Sequence, residues 1–441
     1  MKLKQIAALL LALVLMFTGC ASAQGSTSTH KSSSAATSVT PFYEEELPAM
    51  GNIYLTTDGI PGDIYQEASI RVDWEESSLE EQTVQIKLRG SSSKQVDKKS
   101  FNIKFAEKTN LMKMGEGKKW SLLANPFDKS LMRIGLAFEY AQALGIAYTS
   151  EFRYCKLWLN DQYMGIYIAM EPIGDGEDRI DIDVTSGDAI FECDMDRWED
   201  GASYMTAYPD IRMQINEPEA PTLDEVRGFE SYMYAVYNAV ATRDYTVYGE
   251  MIDIDSFVNF YIFNEVVKDI DFGEFSTRYY VKDGKLYAGP PWDMDLSMGN
   301  VSQVYDDSKY YRYHNRNGYG DQSEDSTQEL WVTGNYYGML MQDAYFRDCV
   351  YARWQEMLPV TQNLVMENEL GDSLMDRYLA AYEEDFLSNY GPETTGWSIS
   401  NQEGTYADQS LALDYAGNVE EVRTWLTKRI AWLDTQFGAI E

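Results

Sequence analysis

The chain has 441 residues, 71 acidic against 36 basic, for a formal charge of −35, and 44% of it is hydrophobic. That length allows two or three domain-sized units or one two-lobed unit with a sizeable core, while so negative a field disfavours nucleic acid and anionic lipid surfaces and suits a basic protein or divalent cations. The only histidines are His30 and His314, and beyond Cys20 the cysteines are Cys155, Cys193 and Cys349, which all but excludes Ser-His-Asp and Cys-His catalysis, His-based metal sites and a disulfide framework.

Lys2 and Lys4, the apolar run Ile6–Phe17 and the small residues ending at Gly19-Cys20 read as a bacterial export signal. Phe17-Thr18-Gly19-Cys20 resembles a lipobox with Phe where Leu is usual, so residues 1–20 are expected to be a lipoprotein signal ending at a lipidated Cys20. The apolar run is shorter than the ~20 residues a membrane span needs. The expected product is monomeric, tethered by its N-terminal lipid alone to the extracellular face of the cell membrane. Residues 21–41, rich in Ser, Thr and Ala, cannot bury enough apolar surface to offset ordering entropy and read as a flexible stalk.

The folded part opens with strands over Asn52–Thr56, Ser69–Asp73 and Thr83–Leu88. Arg89-Gly90-Ser91 begins a loop of small residues, followed by a strand from Lys98-Lys99 to Phe105 that turns Phe101, Ile103 and Phe105 inward. Backbone amides in such a loop beside a lysine-bearing strand suit a nucleotide's phosphates; an ordinary surface hairpin with solvated lysines gives the same pattern. Trp120–Asn125 is a short apolar strand or turn. Asp128 is the expected N-cap of a helix reaching Leu144, with Leu131, Ile134, Leu136, Phe138 and Ala141 as its apolar stripe. Strands Tyr154–Leu159 and Gly165–Met170 flank the turn Asn160-Asp161, and Glu171-Pro172 ends them. Sheet, Gly/Ser loop, lysine strand, helix and two strands is the order of parts in the small lobe of a protein kinase.

Asp175–Glu199 is an acid-rich run that reads as a solvated or calcium-binding connection. Helices are expected over Thr222–Thr242, Ser256–Val267, Ala344–Leu358, Asp372–Leu387 and Val419–Phe437, and the Tyr-rich stretch Tyr305–Thr327 as an insert that borders the cleft or binds the substrate. Among these lies the stretch Phe263–Asn300, with a hairpin of Ser276–Val281 and Lys285–Ala288 about the turn signal Asp283-Gly284. A tight hairpin brings its ends together, so Asp269 and Asp271 before it meet Asp293 and Asp295 after it. The carboxylates can share a divalent cation or divide base and metal duties; a solvated turn or structural calcium site is the alternative.

The segments LRGSSSKQVDKKSFNIKF, WSLLANPFDKSLMRIGLAFEYAQALG, YCKLWLNDQYMGIYIAMEPI, PPWDMDLSMGN and VEEVRTWLTKRIAWLDTQF, in this order, resemble the successive blocks of the CotH family, kinase-like proteins first known from spore coats, across roughly residues 50–440. The resemblance implies an α+β, two-lobed, divergent protein-kinase-like fold, with a β-rich N-lobe over residues 42–175 and a mainly helical C-lobe over 176–441. It implies an ATP-dependent kinase using Mg²⁺ or Mn²⁺, with Ca²⁺ the other candidate ion, to phosphorylate Ser or Thr of secreted, surface or coat proteins. Carried over, the Arg89-Gly90-Ser91 loop covers phosphates, Lys98 or Lys99 holds them, and Glu171 lies where the chain crosses between lobes. Asp271 orients the acceptor hydroxyl, and Asp293, with Asp295 beside it, binds metal. Asp271-Phe272-Gly273 spells a common kinase metal motif but precedes the hairpin, where the catalytic acid belongs. Asp269 stands where relatives commonly have Asn, and Ser276, Thr277 and Arg278 stand where an Asn metal ligand is sought. Two other classes fit the composition: a catalytically silent surface scaffold or adhesin, and a calcium- or carbohydrate-binding module.

Overall fold

In the computed structural model, alternation in the N-terminal strands closes into a barrel. Strands β1 (Gly51–Thr57), β2 (Gln66–Asp73), β3 (Leu79–Arg89), β4 (Ser100–Asn110), β5 (Glu116–Leu123), β6 (Phe152–Leu159) and β7 (Gln162–Met170) pair in the order β1-β2-β3-β4-β5-β7-β6. The parallel pairing of β1 with β6 completes the ring. Every second residue fills it, among them Ile53, Ile70, Ile86, Ile103 and Trp120. The structure describes residues 47–90, 92–94, 96–195, 204–208, 211–300, 327–334, 336–391, 397 and 414–438. The export signal, Cys20, the stalk, His30, Ser91, Asp196, Glu199, His314 and the expected insert up to residue 326 lie outside them.

The predicted strands are present, most with longer ends, although β4 begins at Ser100 rather than Lys98 and β5 stops at Leu123 rather than Asn125; the Asn160-Asp161 turn carries positive φ at both positions, as a two-residue hairpin turn between twisted strands requires. The predicted helix start moves. Leu131 sits at φ +62, and α1 runs only over Arg133–Ala143. Asp128 still serves the helix end from five residues upstream, because its carboxylate accepts the Arg133 N–H at 2.9 Å and pairs with the Arg133 guanidinium at 2.7 Å.

The chain then builds a second sheet. Strands β8 (Ala189–Asp194), β9 (Tyr204–Tyr208), β10 (Ile211–Glu217), β11 (Phe275–Lys282) and β12 (Lys285–Ala288) pair in the order β12-β11-β8-β10-β9. The acid-rich run expected to be a connection therefore contains β8. Phe191, Cys193, Met213, Ile215 and Tyr279 turn one face of this sheet into the main core; Glu192, Asn216 and Arg278 lie on the other, where Arg278 bonds Glu192 at 2.9 Å and Asn216 at 2.7 Å.

Helices α2 (Leu223–Ala241), α3 (Ile254–Val267), α4 (Ala344–Gln362), α5 (Leu374–Ser388) and α6 (Tyr415–Phe437) supply the rest. Capping boxes Thr222/Glu225 and Ser373/Asp376 start α2 and α5, each satisfying two orphan N–H donors. α3 is buried almost all round and packs on α4 and α6. The fold is mixed α+β, with a β-rich N-terminal part and helices towards the C-terminus. Among the described residues no helix is long and apolar enough to cross a membrane.

Candidate active site

α3 ends because Lys268 adopts the left-handed conformation (φ 49, ψ 59), its N–H bonding back to Asn264. The next residues carry Asp269 and Asp271. β11 and β12 turn about Asp283 and Gly284, both at positive φ, with Lys282 opposite Lys285, and Pro290-Pro291 stops β12 because proline has no N–H for the ladder. Asp293, itself left-handed (φ 63, ψ 46), and Asp295 follow. Cross-links hold the two acidic loops together: Ile270 N–H to Leu296 O at 3.4 Å, and Met298 N–H to Val267 O at 2.6 Å. Asn300 Nδ2 donates to Asp295 O and to Phe127 O, which ties this loop to the segment before α1.

The four carboxylates lie within one another's fields. Burial pushes Asp269 well above the usual carboxylate range, and the charges of Asp271, Asp293 and Asp295 push it further. Asp271 is raised to about 7 by burial, then by Asp293 and Glu274. Asp295 is raised well above the ordinary value by burial, Asp293 and Asp128. Like charges held together in a partly dry site cannot all ionise without help. Asp269 Oδ1 is buried with no hydrogen-bond partner, and Asp293 holds a backbone conformation that non-glycine residues seldom adopt, of the kind that concentrates at functional sites.

This all-oxygen set fits a hard divalent cation. Among the described residues no group of three or more His, Cys, Asp or Glu side chains is placed to hold a metal ion by itself. Mg²⁺ does not ask for one: it is held by one or two carboxylates, with phosphate oxygens and water completing its shell. Asp293 and Asp295, with Asp269 and Asp271 behind them, would hold it.

Arg89, at the end of β3, lays its guanidinium over the Trp292 ring at 5.1 Å, so the barrel reaches the residue next to Asp293. Arg278 covers the same ring at 5.7 Å. Gly90 follows at φ +102, and an added Cβ would meet Ser93 Oγ at 1.9 Å, so this turn needs glycine.

The structure gives the two expected phosphate lysines other tasks. Lys98 is buried, with its Nζ donating to Ala124 O and Asn389 Oδ1, each at 2.8 Å, and to Ile166 O. Its three protons are spent, and burial followed by neighbouring Lys129 lowers its proton affinity well below the ordinary lysine range. Lys99 Nζ donates to Lys94 O at 2.7 Å, pinning the loop to its own strand. Glu171, buried where the chain leaves the barrel, accepts the Glu151 N–H at 3.1 Å and faces Arg179 at 3.9 Å. Burial raises it to about 7. The structure thus brings Asp271, Asp293, Asp295 and Arg89 into one neighbourhood, while Lys98, Lys99 and Glu171 make contacts of their own elsewhere.

Sequence reading missed the Arg89–Trp292–Arg278 stack and the buried pair of Glu265 and Arg429, which bond at 2.7 Å. An aromatic beside an acidic motif and an arginine in an otherwise apolar helix stripe were the available signals. Among curated proteins none matches the chain. The family described as CotH kinase protein matches residues 86–433, from within β3 to near the end of α6, and over that span, most of its length, the chain belongs to the CotH kinase family.

Proposed function

We propose that the protein is an exported, lipid-anchored kinase that transfers the γ-phosphate of ATP to Ser or Thr of secreted or surface proteins, on a divergent two-lobed kinase-like fold. The observation that carries this reading is the single cluster of Asp269, Asp271, Asp293 and Asp295, with Asp269 buried behind half-buried neighbours, where the raised proton affinities of Asp269, Asp271 and Asp295 mark charge awaiting a partner. CotH membership supports phosphoryl transfer as the reaction class.

Mg²⁺ or Mn²⁺ bound there supplies positive charge for the phosphate oxygens. Asp293 and Asp295 would hold that charge. Asp271, with a proton affinity near neutrality, accepts the proton of the acceptor hydroxyl as its oxygen bonds to phosphorus and the β,γ-bridging bond breaks; a base poised near the working pH suits that step. Arg89, steadied on Trp292, holds a phosphate oxygen. The charge of −35 favours a basic protein substrate. The Phe17–Cys20 motif supports attachment at the extracellular face of the membrane.

A second reading, a silent surface scaffold, draws on Lys98, whose ammonium is committed to the fold. Incubation of the full-length chain with γ-labelled ATP and Mg²⁺ or Mn²⁺ separates the two. Label on the chain itself or on a basic, serine-containing protein is expected. No transfer with either ion, together with no nucleotide binding, replaces the kinase by the scaffold.

A further inference from the structure

With Lys98 and Lys99 bound to backbone oxygens, the phosphate-holding cations must be sought elsewhere, and strand register identifies them. On β3, Val84 and Ile86 fill the barrel, and on β4, Phe101, Ile103 and Phe105 do. The intervening side chains stand on the outer face: Lys87 opposite Asn102, Arg89 opposite Ser100, and Lys104 opposite Lys119 of β5. Arg89 fixes what this face looks towards, because its stack on Trp292 sets it beside Asp293. Two residues along the same strand edge comes Lys87, whose Nζ lies 4.7 Å from the Tyr65 ring centroid; Lys104 approaches that ring from β4 at 6.0 Å. Tyr65 belongs to the β1–β2 connection, which is anchored here by Leu88 N–H to Gly62 O at 2.7 Å and by Lys94 to Asp63 at 2.6 Å.

Arg89, Lys87 and Lys104 form no ion pair among the described residues, in a chain with nearly twice as many acids as bases. Lys104 and Lys119 oppose each other directly, a like-charge arrangement that costs stability. Lys119 is relieved by Glu219 at 2.8 Å. Lys104 feels Glu219 only after Lys119 has claimed it. Half-buried, unpaired cations in a row, leading from a carboxylate cluster along one sheet face, ask for an extended polyanion.

We propose that the phosphate chain of the metal-bound donor lies along the outer face of β3 and β4, held by Arg89, Lys87 and Lys104, with Trp292 as the shelf that fixes Arg89. The proposal rests on the kinase reading above and goes beyond it by replacing Lys98 and Lys99 as the phosphate cations. Arginine's planar fork keeps its hydrogen-bond geometry while stacked on an indole, whereas lysine acts as a movable point charge; the order Arg89, Lys87, Lys104 therefore places the rigid contact nearest the reacting end.

Calorimetric titration of the full-length chain with Mn²⁺ alone and with Mn²⁺-ATP tests this. Lys87→Gln with Lys104→Gln should weaken Mn²⁺-ATP by about tenfold or more, the range of charge-assisted contacts, and leave Mn²⁺ alone unchanged. Lys113→Gln, which removes the same charge from a lysine paired with Glu76, should leave both unchanged. Wild-type affinity for Mn²⁺-ATP retained in the double variant overturns the proposal and leaves the kinase reading standing. A wild-type chain that binds Mn²⁺ without ever binding Mn²⁺-ATP overturns both.

Discussion

Arg429 of α6 and Glu265 of α3 face each other at 2.7 Å with both side chains fully enclosed. Around this pair the C-terminal part fastens the acidic loop. Glu265 accepts the N–H groups of Trp331 and Val332, Arg429 donates to the carbonyls of Glu265, Thr327 and Glu329, and Trp331 Nε1 donates to Asp269 O at 2.8 Å. Burial still raises the proton affinity of Glu265 against the pull of Arg429, so the pair is held by its many hydrogen bonds as much as by its charges. Removing one member strands the other. Arg429→Met should cost about 3–5 kcal/mol in urea unfolding, and adding Glu265→Gln to it should cost less than Glu265→Gln costs the wild type. Equal costs in both backgrounds would show that the two residues act separately.

Glu171 gives a pH dependence of definite sign. Its proton affinity rises from an ordinary 4.5 to about 7, chiefly through burial, with Arg179 at 3.9 Å opposing only in part. The folded protein thus holds this proton more tightly than the unfolded chain does. The penalty for ionising Glu171 is absent below about pH 4.5, grows as pH rises towards 7 and is complete above it. Glu171→Gln keeps an acceptor for Glu151 and removes the penalty, so in divalent-free buffer it should stabilise the protein at pH 8 by about 1–3 kcal/mol and be nearly neutral at pH 4.5. Destabilisation at pH 8 would mean that the Arg179 pairing outweighs burial.

The hairpin of the candidate site was legible because every local signal agreed: β-prone runs, Asp283-Gly284 and Pro290-Pro291 point to the same turn, which has only one way to bring Asp271 and Asp293 together. β8 was not legible. Its polar face carries Glu192 and Asp194 within a dense acidic run, and those charges hid the alternation of Phe191 and Cys193. Strand parity, already implied by Phe101, Ile103 and Phe105, was enough to send Lys104 outward. The same parity sends Lys98 outward and fails there, because β4 begins only at Ser100 and Lys98 precedes it, turned into the interior. The left-handed Leu131 that delays α1 has no sequence mark, since its conformation is set by what Asp128 and Arg133 bind.

The proposed attachment to the membrane is separable from the fold. Cys20→Ser should move the protein from the membrane fraction to the soluble fraction with no change in thermal midpoint, since the proposed lipid contributes tethering only. Retention in the membrane fraction after a high-salt wash would defeat the assignment of Cys20 as the anchor.

The two ends of the acidic hairpin should fail in different ways. Asp293 is among the charges that raise Asp269, Asp271 and Asp295, so Asp293→Asn relieves repulsion in the absence of metal and removes the proposed ligand in its presence. It should raise the metal-free thermal midpoint at pH 8, abolish the stabilisation by Mn²⁺ and weaken metal-dependent nucleotide binding. Saturation of the wild type at ~100 times the dissociation constant adds about 2.7 kcal/mol of stability, which gives that loss a scale. Asp271→Asn leaves a group of the same size and, in the proposed mechanism, touches only the acceptor hydroxyl. Mn²⁺-ATP should still shift its midpoint while phosphate transfer falls by ~10²–10⁴, the range of a positioned general base. Loss of nucleotide binding in both variants with their folds intact would make the four carboxylates one undivided metal site and remove Asp271 from the role of base. Full activity in both would make them structural and end the reading of this chain as a kinase.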